Sequence, residues 1–279
     1  MYEEKAPPRR LRGVARCVWR SASEGPKRIV PDGCVDLVRG GGAVFVAGPD
    51  TAAWSSVTRP GEVLSGVRLV PGLAATVLGV AADEVRDRRV PLEELWGRCW
   101  AERLAEGSMA GALAERLAEA APPDAADAAV AELIARLDEG VARVGNAAAG
   151  LIRAGVGEAG AGGAGFGGAT SGGAPSGRAT SIEAASLGTS PADLFAARAE
   201  DPPLRAAVGE RRLRRRFVQA VGYGPATYLR VSRFQRAVAL SSRAPNLAAL
   251  AVAAGYSDQA HLSRECRALT GLTPRAYFR

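Results

Sequence analysis

Few residues in this chain are equipped for acid–base or metal chemistry. There is one histidine, His261, and four cysteines, Cys17, Cys34, Cys99 and Cys266, none in a C-x-x-C spacing. Catalytic triads, general-base pairs and zinc sites mostly draw on histidine, so neither an enzyme nor a metal or other cofactor is expected. The arginines carry the stronger signal. On a helix over 210–221, Arg211, Arg214 and Arg215 share one side, while Leu213, Phe217, Ala220 and Val221 share the other. A guanidinium in such a row can donate two parallel hydrogen bonds to guanine O6 and N7, each good pair discriminating by about 1–3 kcal/mol. Arg212 and Arg216 flank the row, where phosphates are met.

The row belongs to a repeat. Leu213, Phe217, Gly222, Pro225 and Tyr228 recur 49 residues later as Leu262, Cys266, Gly271, Pro274 and Tyr277. Two copies are too few for a solenoid and fit two helix-turn-helix units on one body. From Leu204 to Arg279 there are 14 arginines, no lysine and three acids, a local charge of +11 in a chain of +7. The remainder is therefore −4, and the asymmetry is the footprint of one domain that meets a polyanion.

The second unit reads in more detail. Leu247–Ala254 is a helix stopped by Gly255, Tyr256-Ser257 form the turn, and Ser257 or Asp258 caps a helix that runs to about Leu269. Leu262, Cys266 and Leu269 point inward, with Cys266 as core filler in the place of Phe217. Ala260, Ser263 and Arg264 point outward, Gln259 and Arg267 lie at the edges, and His261 sits near the helix start, where side chains reach base edges. The bland alternative for His261 is a surface ring packed on its neighbour. Between the units, Ala226–Ser241 has helical spacing, and Arg230, Arg233 and Arg236 fall where they can touch the DNA backbone.

Ala254-Gly255-Tyr256-Ser257-Asp258-Gln259-Ala260-His261-Leu262-Ser263-Arg264-Glu265-Cys266 resembles the second helix-turn-helix of the AraC family of bacterial transcription regulators, and Gly271-Leu272-Thr273-Pro274-Arg275-Ala276-Tyr277 resembles that family's closing motif. The resemblance covers about 75 residues. It implies an all-helical domain whose two recognition helices enter successive major grooves near promoters. By position in the motif it implies DNA contacts from Arg211, Arg214, Arg215, Gln259, His261, Ser263 and Arg264. One departure stands out: Gly209 is four residues before Leu213, whereas Gly255 is seven before Leu262. The first unit thus looks shortened, and poor packing is expected there.

Residues 1–99 read as β-rich. The runs Val14–Arg20, Arg28–Pro31, Cys34–Arg39, Ala43–Ala47 and Val63–Val70 are punctuated by Gly and Pro, and Leu73–Leu78 is a short helix. Pro31-Asp32-Gly33-Cys34-Val35-Asp36-Leu37, Gly66-Val67-Arg68-Leu69-Val70-Pro71-Gly72 and Val90-Pro91-Leu92-Glu93-Glu94-Leu95-Trp96-Gly97 are similar to a domain often found ahead of AraC-type helices, with no activity to carry over. Candidate pocket residues are Asp32, Cys34, Asp36, Trp54 and Arg68. The plainer readings are a turn for Asp32, solvent for Asp36, and core for Trp19, Trp54, Trp96 and Trp100. Cys17 and Cys34 could meet across strands as a thiol sensor or half a metal site.

Residues 100–153 carry two apolar stripes, Leu104/Leu113/Leu117 and Val130/Leu133/Ile134/Leu137/Val141/Val144. They fit either an interdomain or dimerisation element or packing against the β-domain. Residues 154–180 are a Gly-rich flexible linker, with 11 glycines among the 23 residues from Gly155 to Gly177. Residues 181–279 complete the DNA-binding domain, with helix starts expected at Ser181 and Ser190. The fold class is α+β multidomain: a β-rich N-terminal regulatory domain, a helical middle and an all-α C-terminal double helix-turn-helix domain. With no signal segment or membrane span in view, a cytoplasmic, nucleoid-associated protein is expected. Its candidate partners are double-stranded DNA, RNA polymerase, a small-molecule effector and a second copy of the chain. The rival readings are a regulator impaired in DNA binding that works through protein contacts, and a cysteine-based alkyl-transfer or sensor protein marked by a low-pKa, exposed Cys17 or Cys34.

Overall fold

The computed structural model describes residues 1–22, 25–118, 125–158 and 209–278. Strands β1 (Tyr2–Lys5), β2 (Ala15–Ser21), β3 (Gly25–Ile29), β4 (Asp36–Gly40), β5 (Ala43–Ala47), β6 (Trp54–Thr58), β7 (Leu64–Leu69) and β8 (Arg89–Pro91) build the first part. Helices α1 (Ala74–Leu78), α2 (Leu92–Trp96), α3 (Arg98–Glu106), α4 (Met109–Ala118) and α5 (Ala125–Glu158) accompany and follow them. The C-terminal part is helical: α6 (Glu210–Val221), α7 (Pro225–Leu240), α8 (Leu247–Ala254), α9 (Gln259–Thr270) and α10 (Pro274–Tyr277). Four of the strand signals appear as β2, β4, β5 and β7; the fifth, Arg28–Pro31, meets β3 only at Arg28 and Ile29, and β1, β6 and β8 had none.

An antiparallel sheet runs in the order β1-β2-β7-β4-β5-β8, and β3 pairs with β6 as a separate ribbon. Residues in register share a face. One row is Val18, Val67, Leu37, Val46 and Val90, apolar throughout. This face meets α1–α4, with Val77, Leu78, Leu92, Leu104 and Leu113 buried against it. Trp96 is core, as expected, and its Nε1 donates to the Leu78 carbonyl at 2.8 Å. The opposite face carries Cys17, Arg68, Asp36, Ala47 and Arg89 in one row and Trp19, Gly66, Val38 and Phe45 in another. Such a row of charge is tolerated under cover only if its members pair with one another.

The stripes of the middle segment have different partners. Leu104, Leu113 and Leu117 sit on the sheet core. Ala129, Val130, Leu133, Ile134 and Leu137 of α5 instead join Leu213, Phe217, Val221, Tyr228 and Phe234 in the core of the C-terminal domain. α5 packs on α6, α7 and α8, so this stripe belongs to the core of the C-terminal half. Polar contacts fix its register: Asp138 accepts from Tyr228 Oη at 3.0 Å and from Ser232 Oγ at 3.1 Å. The packing defect expected of the first unit is absent, since Phe217 is 0 % exposed and Leu213 7 %. α5 supplies the cover that the short sequence before Leu213 left unassigned.

α5 reaches Glu158, past the expected boundary at 153. The rest of the linker, the helix starts at Ser181 and Ser190, and Leu204–Val208 lie outside the described residues. Among the described residues no helix is long and apolar enough to cross a membrane.

Candidate nucleic-acid interface and an internal cavity

Both copies of the repeat fold as a helix closed by glycine and followed by a helix that opens on proline. α6 ends at Gly222 (φ 95°) and α9 at Gly271 (φ 72°), both in the left-handed conformation that closes helices. α9 starts on Asp258, whose side chain accepts the His261 backbone N–H at 2.6 Å. That hydrogen bond is the main cause holding the Asp258 carboxyl below its usual range. The linking helix α7 joins the two units and opens on Pro225.

On α6, Arg211, Arg212, Arg214 and Arg215 are exposed, while Leu213, Phe217, Ala220 and Val221 are buried. Arg216 is not among the outward cations, because its Nε donates to Asp127 of α5 at 2.7 Å. The linking-helix arginines are likewise used inside. Arg230 Nε donates to Glu265 at 2.7 Å, Arg236 Nε donates to the Ala253 carbonyl at 3.0 Å, and Arg233 lies 5.5 Å over the Tyr256 ring. On α9, Gln259, Ala260, Arg264 and Arg267 are exposed. Ser263 is half-buried, and its Oγ donates back to the Gln259 carbonyl at 2.8 Å. His261 packs edge-on to Tyr256 with its Nδ1 3.1 Å from Ser257 Oγ. Burial first, then the Arg233 charge, hold its pKa below the usual imidazole value. Cys266 is fully buried core, as expected.

The N-terminal domain closes the C-terminal ends of α6 and α9. The Ala82 N–H donates to the Gln219 carbonyl at 2.6 Å, and Arg86 Nη1 donates to the Gly222 carbonyl at 2.9 Å. The Ala53 N–H donates to the Leu269 carbonyl at 2.7 Å, and Arg28 Nη1 donates to the Thr270 carbonyl at 2.7 Å. Each helix end thus receives one backbone donor and one guanidinium, which satisfies orphan carbonyls and opposes the negative end of the dipole. At Gly222 the approach is so close that a Cβ would stand 2.3 Å from Pro49 Cγ. None of these long-range contacts had a sequence signal.

The charged face of the sheet forms the floor of a cavity of about 430 Å³, roofed by the β3–β6 ribbon and reached by Gln235 of α7. All five pocket candidates, Asp32, Cys34, Asp36, Trp54 and Arg68, line it. Asp32 does form the turn, accepting from the Cys34 N–H at 3.0 Å, and it also pairs with Arg68 at 3.1 Å. Asp36 does not face solvent. It accepts from Arg68 at 3.2 Å and from Trp19 Nε1 at 3.0 Å, and burial pushes its pKa up to about 6. The Arg68 charge opposes that shift but is shared with Asp32 and Glu4. Trp19 and Trp54 line the cavity and are not sheet core.

The folded pKa of Asp36 lies above its ordinary 3.8. The folded state therefore keeps a proton that the unfolded state releases, and that contribution is lost as pH rises through about 6. Unfolding free energies of the wild type and of Asp36→Asn, from urea titrations at pH 4 to 7, are expected to diverge by on the order of 1–3 kcal/mol across this window. Parallel curves would show that Asp36 is not the titrating group.

Cys17 and Cys34 are both buried. Burial pushes Cys17 up to about 11 and drives Cys34 further in the same direction. This is opposite to the activation that a reactive cysteine needs. Among the described residues no group of His, Cys, Asp or Glu could hold a metal ion.

Comparison with known families matches residues 204–279 to a helix-turn-helix domain and residues 3–91 to a domain of unknown function, DUF6597. Neither the curated proteins nor the solved structures gave a match. The chain therefore joins an AraC-type helix-turn-helix domain, at its C-terminus, to an N-terminal domain of unknown function, the organisation of an AraC-family DNA-binding regulator.

Proposed function

We propose that the chain is a sequence-specific regulator that binds promoter DNA through α6 and α9 in successive major grooves, under the control of its N-terminal domain. The observation that carries this reading is the sorting of the arginines. Arg211, Arg212, Arg214 and Arg215 stand exposed on α6 with no carboxylate partner among the described residues. Arg216, Arg230 and Arg236, a few residues away, are bound inside the fold. Unpaired guanidiniums on a recognition helix are placed for guanine edges and phosphates. Arg211, Arg214 and Arg215 are assigned to the first groove, and Gln259, His261, Ser263 and Arg264 to the second. For His261 the assignment is to Nε2, since Ser257 Oγ lies 3.1 Å from Nδ1. The caps supplied by Arg28 and Arg86 make the N-terminal domain part of the frame that spaces the two helices. In vitro selection from random duplex DNA by the full-length chain tests the reading. A shared motif, with binding that weakens steeply as salt rises, is the expected outcome. Absence of enrichment by folded protein would contradict it.

A further inference from the structure

We propose that the cavity between the sheet and the β3–β6 ribbon binds a small carboxylate with a flat apolar body, and that the bound acid is sensed through the ribbon that caps α9. The proposal deepens the regulator reading and rests on it for the DNA effect alone. The size suits a small organic molecule, because ligand pockets span about 300–1,000 Å³, and this one is about 430 Å³. Tyr2, Trp19, Phe45, Trp54 and Leu64 give it an aromatic and apolar wall.

The sign of the ligand follows from which polar groups are already engaged. Arg68 pairs with Glu4, Asp32 and Asp36, and Arg89 grips Asp50 with both terminal nitrogens at 2.9 and 2.8 Å. Each carboxylate in the lining therefore touches a cation, Asp50 through Arg89 and the other three by sharing Arg68. The donors are not all used. Lys27 makes one hydrogen bond, to Ser21 Oγ at 2.7 Å, and has no carboxylate partner among the described residues. An ammonium has three N–H donors. Trp54 Nε1 is buried with no hydrogen-bond partner among the described residues. The ribbon register, Lys27 opposite Ser56 and Ile29 opposite Trp54, puts Lys27 and Trp54 on one face, and both line the cavity. A buried donor without an acceptor is costly, and a carboxylate between these two groups would supply acceptors to both while its apolar body lay against the aromatic wall.

The same ribbon reaches the DNA-binding half. Arg28, next to Lys27, donates to the Thr270 carbonyl, and Ala53, next to Trp54, donates to the Leu269 carbonyl. A ligand held by Lys27 and Trp54 thus acts on the strands that hold the end of α9. At the far wall, Gln235 of α7 both lines the cavity and donates to the Pro31 carbonyl at 2.6 Å.

The test is calorimetric titration of the full-length protein with phenylacetate, 3-phenylpropionate and 2-naphthoate, each beside its primary amide and its amine counterpart. The carboxylates are expected to bind, and the amides and amines to bind at least about tenfold more weakly. Trp54→Phe keeps the ring and removes the N–H, and Lys27→Gln removes the charge. Each is expected to weaken carboxylate binding by about tenfold while leaving the ligand-free melting temperature within a few degrees. Lys27→Met serves if Lys27→Gln unfolds. Tighter binding of the amines, carboxylate affinity unchanged in both variants, or no carboxylate binding at millimolar concentration would overturn the proposal. A saturating carboxylate is then added to a titration of the selected DNA site. A changed affinity is expected, and an unchanged one would overturn the coupling. Loss of all DNA binding would instead strike the regulator reading and leave the ligand result standing.

Discussion

A fragment of residues 204–279 alone is expected to lack cooperative folding under conditions in which the full chain is folded. The fragment keeps both recognition helices but loses α5, whose Val130, Leu133, Ile134 and Leu137 lie buried against Leu213, Phe217, Val221 and Tyr228. Burying one such aliphatic side chain is worth about 1.5–3 kcal/mol. Uncovering four, with the facing Phe217 and Tyr228, removes on the order of 5–10 kcal/mol, comparable to the whole stability of a small domain. Asp127 and Asp138 leave with α5, so Arg216 loses its carboxylate and Tyr228 its acceptor. Circular-dichroism melts of 204–279 and of the full chain measure the difference. A sharp transition at the same temperature in both would show that α5 is only an appendage.

The second large effect separates neighbouring arginines on one helix. Arg214→Ala is expected to cost about 1–3 kcal/mol on the preferred site and to relax base preference at one or two positions, because Arg214 is exposed on the outer side of α6, where the proposed function puts base contacts. Arg212→Ala is expected to weaken all sequences about equally and to lower the salt slope by roughly one, as loss of a phosphate contact does. Arg216→Ala is expected to leave base preference unchanged and to lower stability instead, since its guanidinium serves Asp127. Binding curves for matched and mutated sites at two salt concentrations, with thermal melts beside them, distinguish the three. If Arg214→Ala weakened every sequence alike, its base-reading role would be wrong.

The parts legible in the sequence were those written in local spacing. The 49-residue repeat located α6 and α9, and Leu247–Ala254, Gly255 and Asp258 marked a helix, its stop and the next cap. Ala43–Ala47 was readable because five residues of β-propensity lie between glycine-rich turns. Strands β1, β6 and β8 were not, because Tyr2-Glu3-Glu4-Lys5 and Trp54-Ser55-Ser56-Val57-Thr58 are polar and β8 is three residues long. Their partners create them. The stripe on α5 was visible but its destination was not, since amphipathicity does not name what covers it. Asp36 shows the same limit. Its alternation with Val35 and Leu37 placed it opposite the core, and only the ribbon, joined through long-range pairing, puts that second face under cover. The capping of α6 by Ala82 and Arg86 spans more than 130 residues and has no local signature.

The spacing of the DNA motif recovered by selection with the full-length protein tests most directly whether both units dock as a fixed pair. Two recognition helices held on one frame by α7, α5 and the N-terminal caps are expected to yield two short boxes about one helical turn apart, roughly 10 base pairs centre to centre. A single box, or two boxes at variable separation, would contradict the claim that both units dock together as a fixed pair.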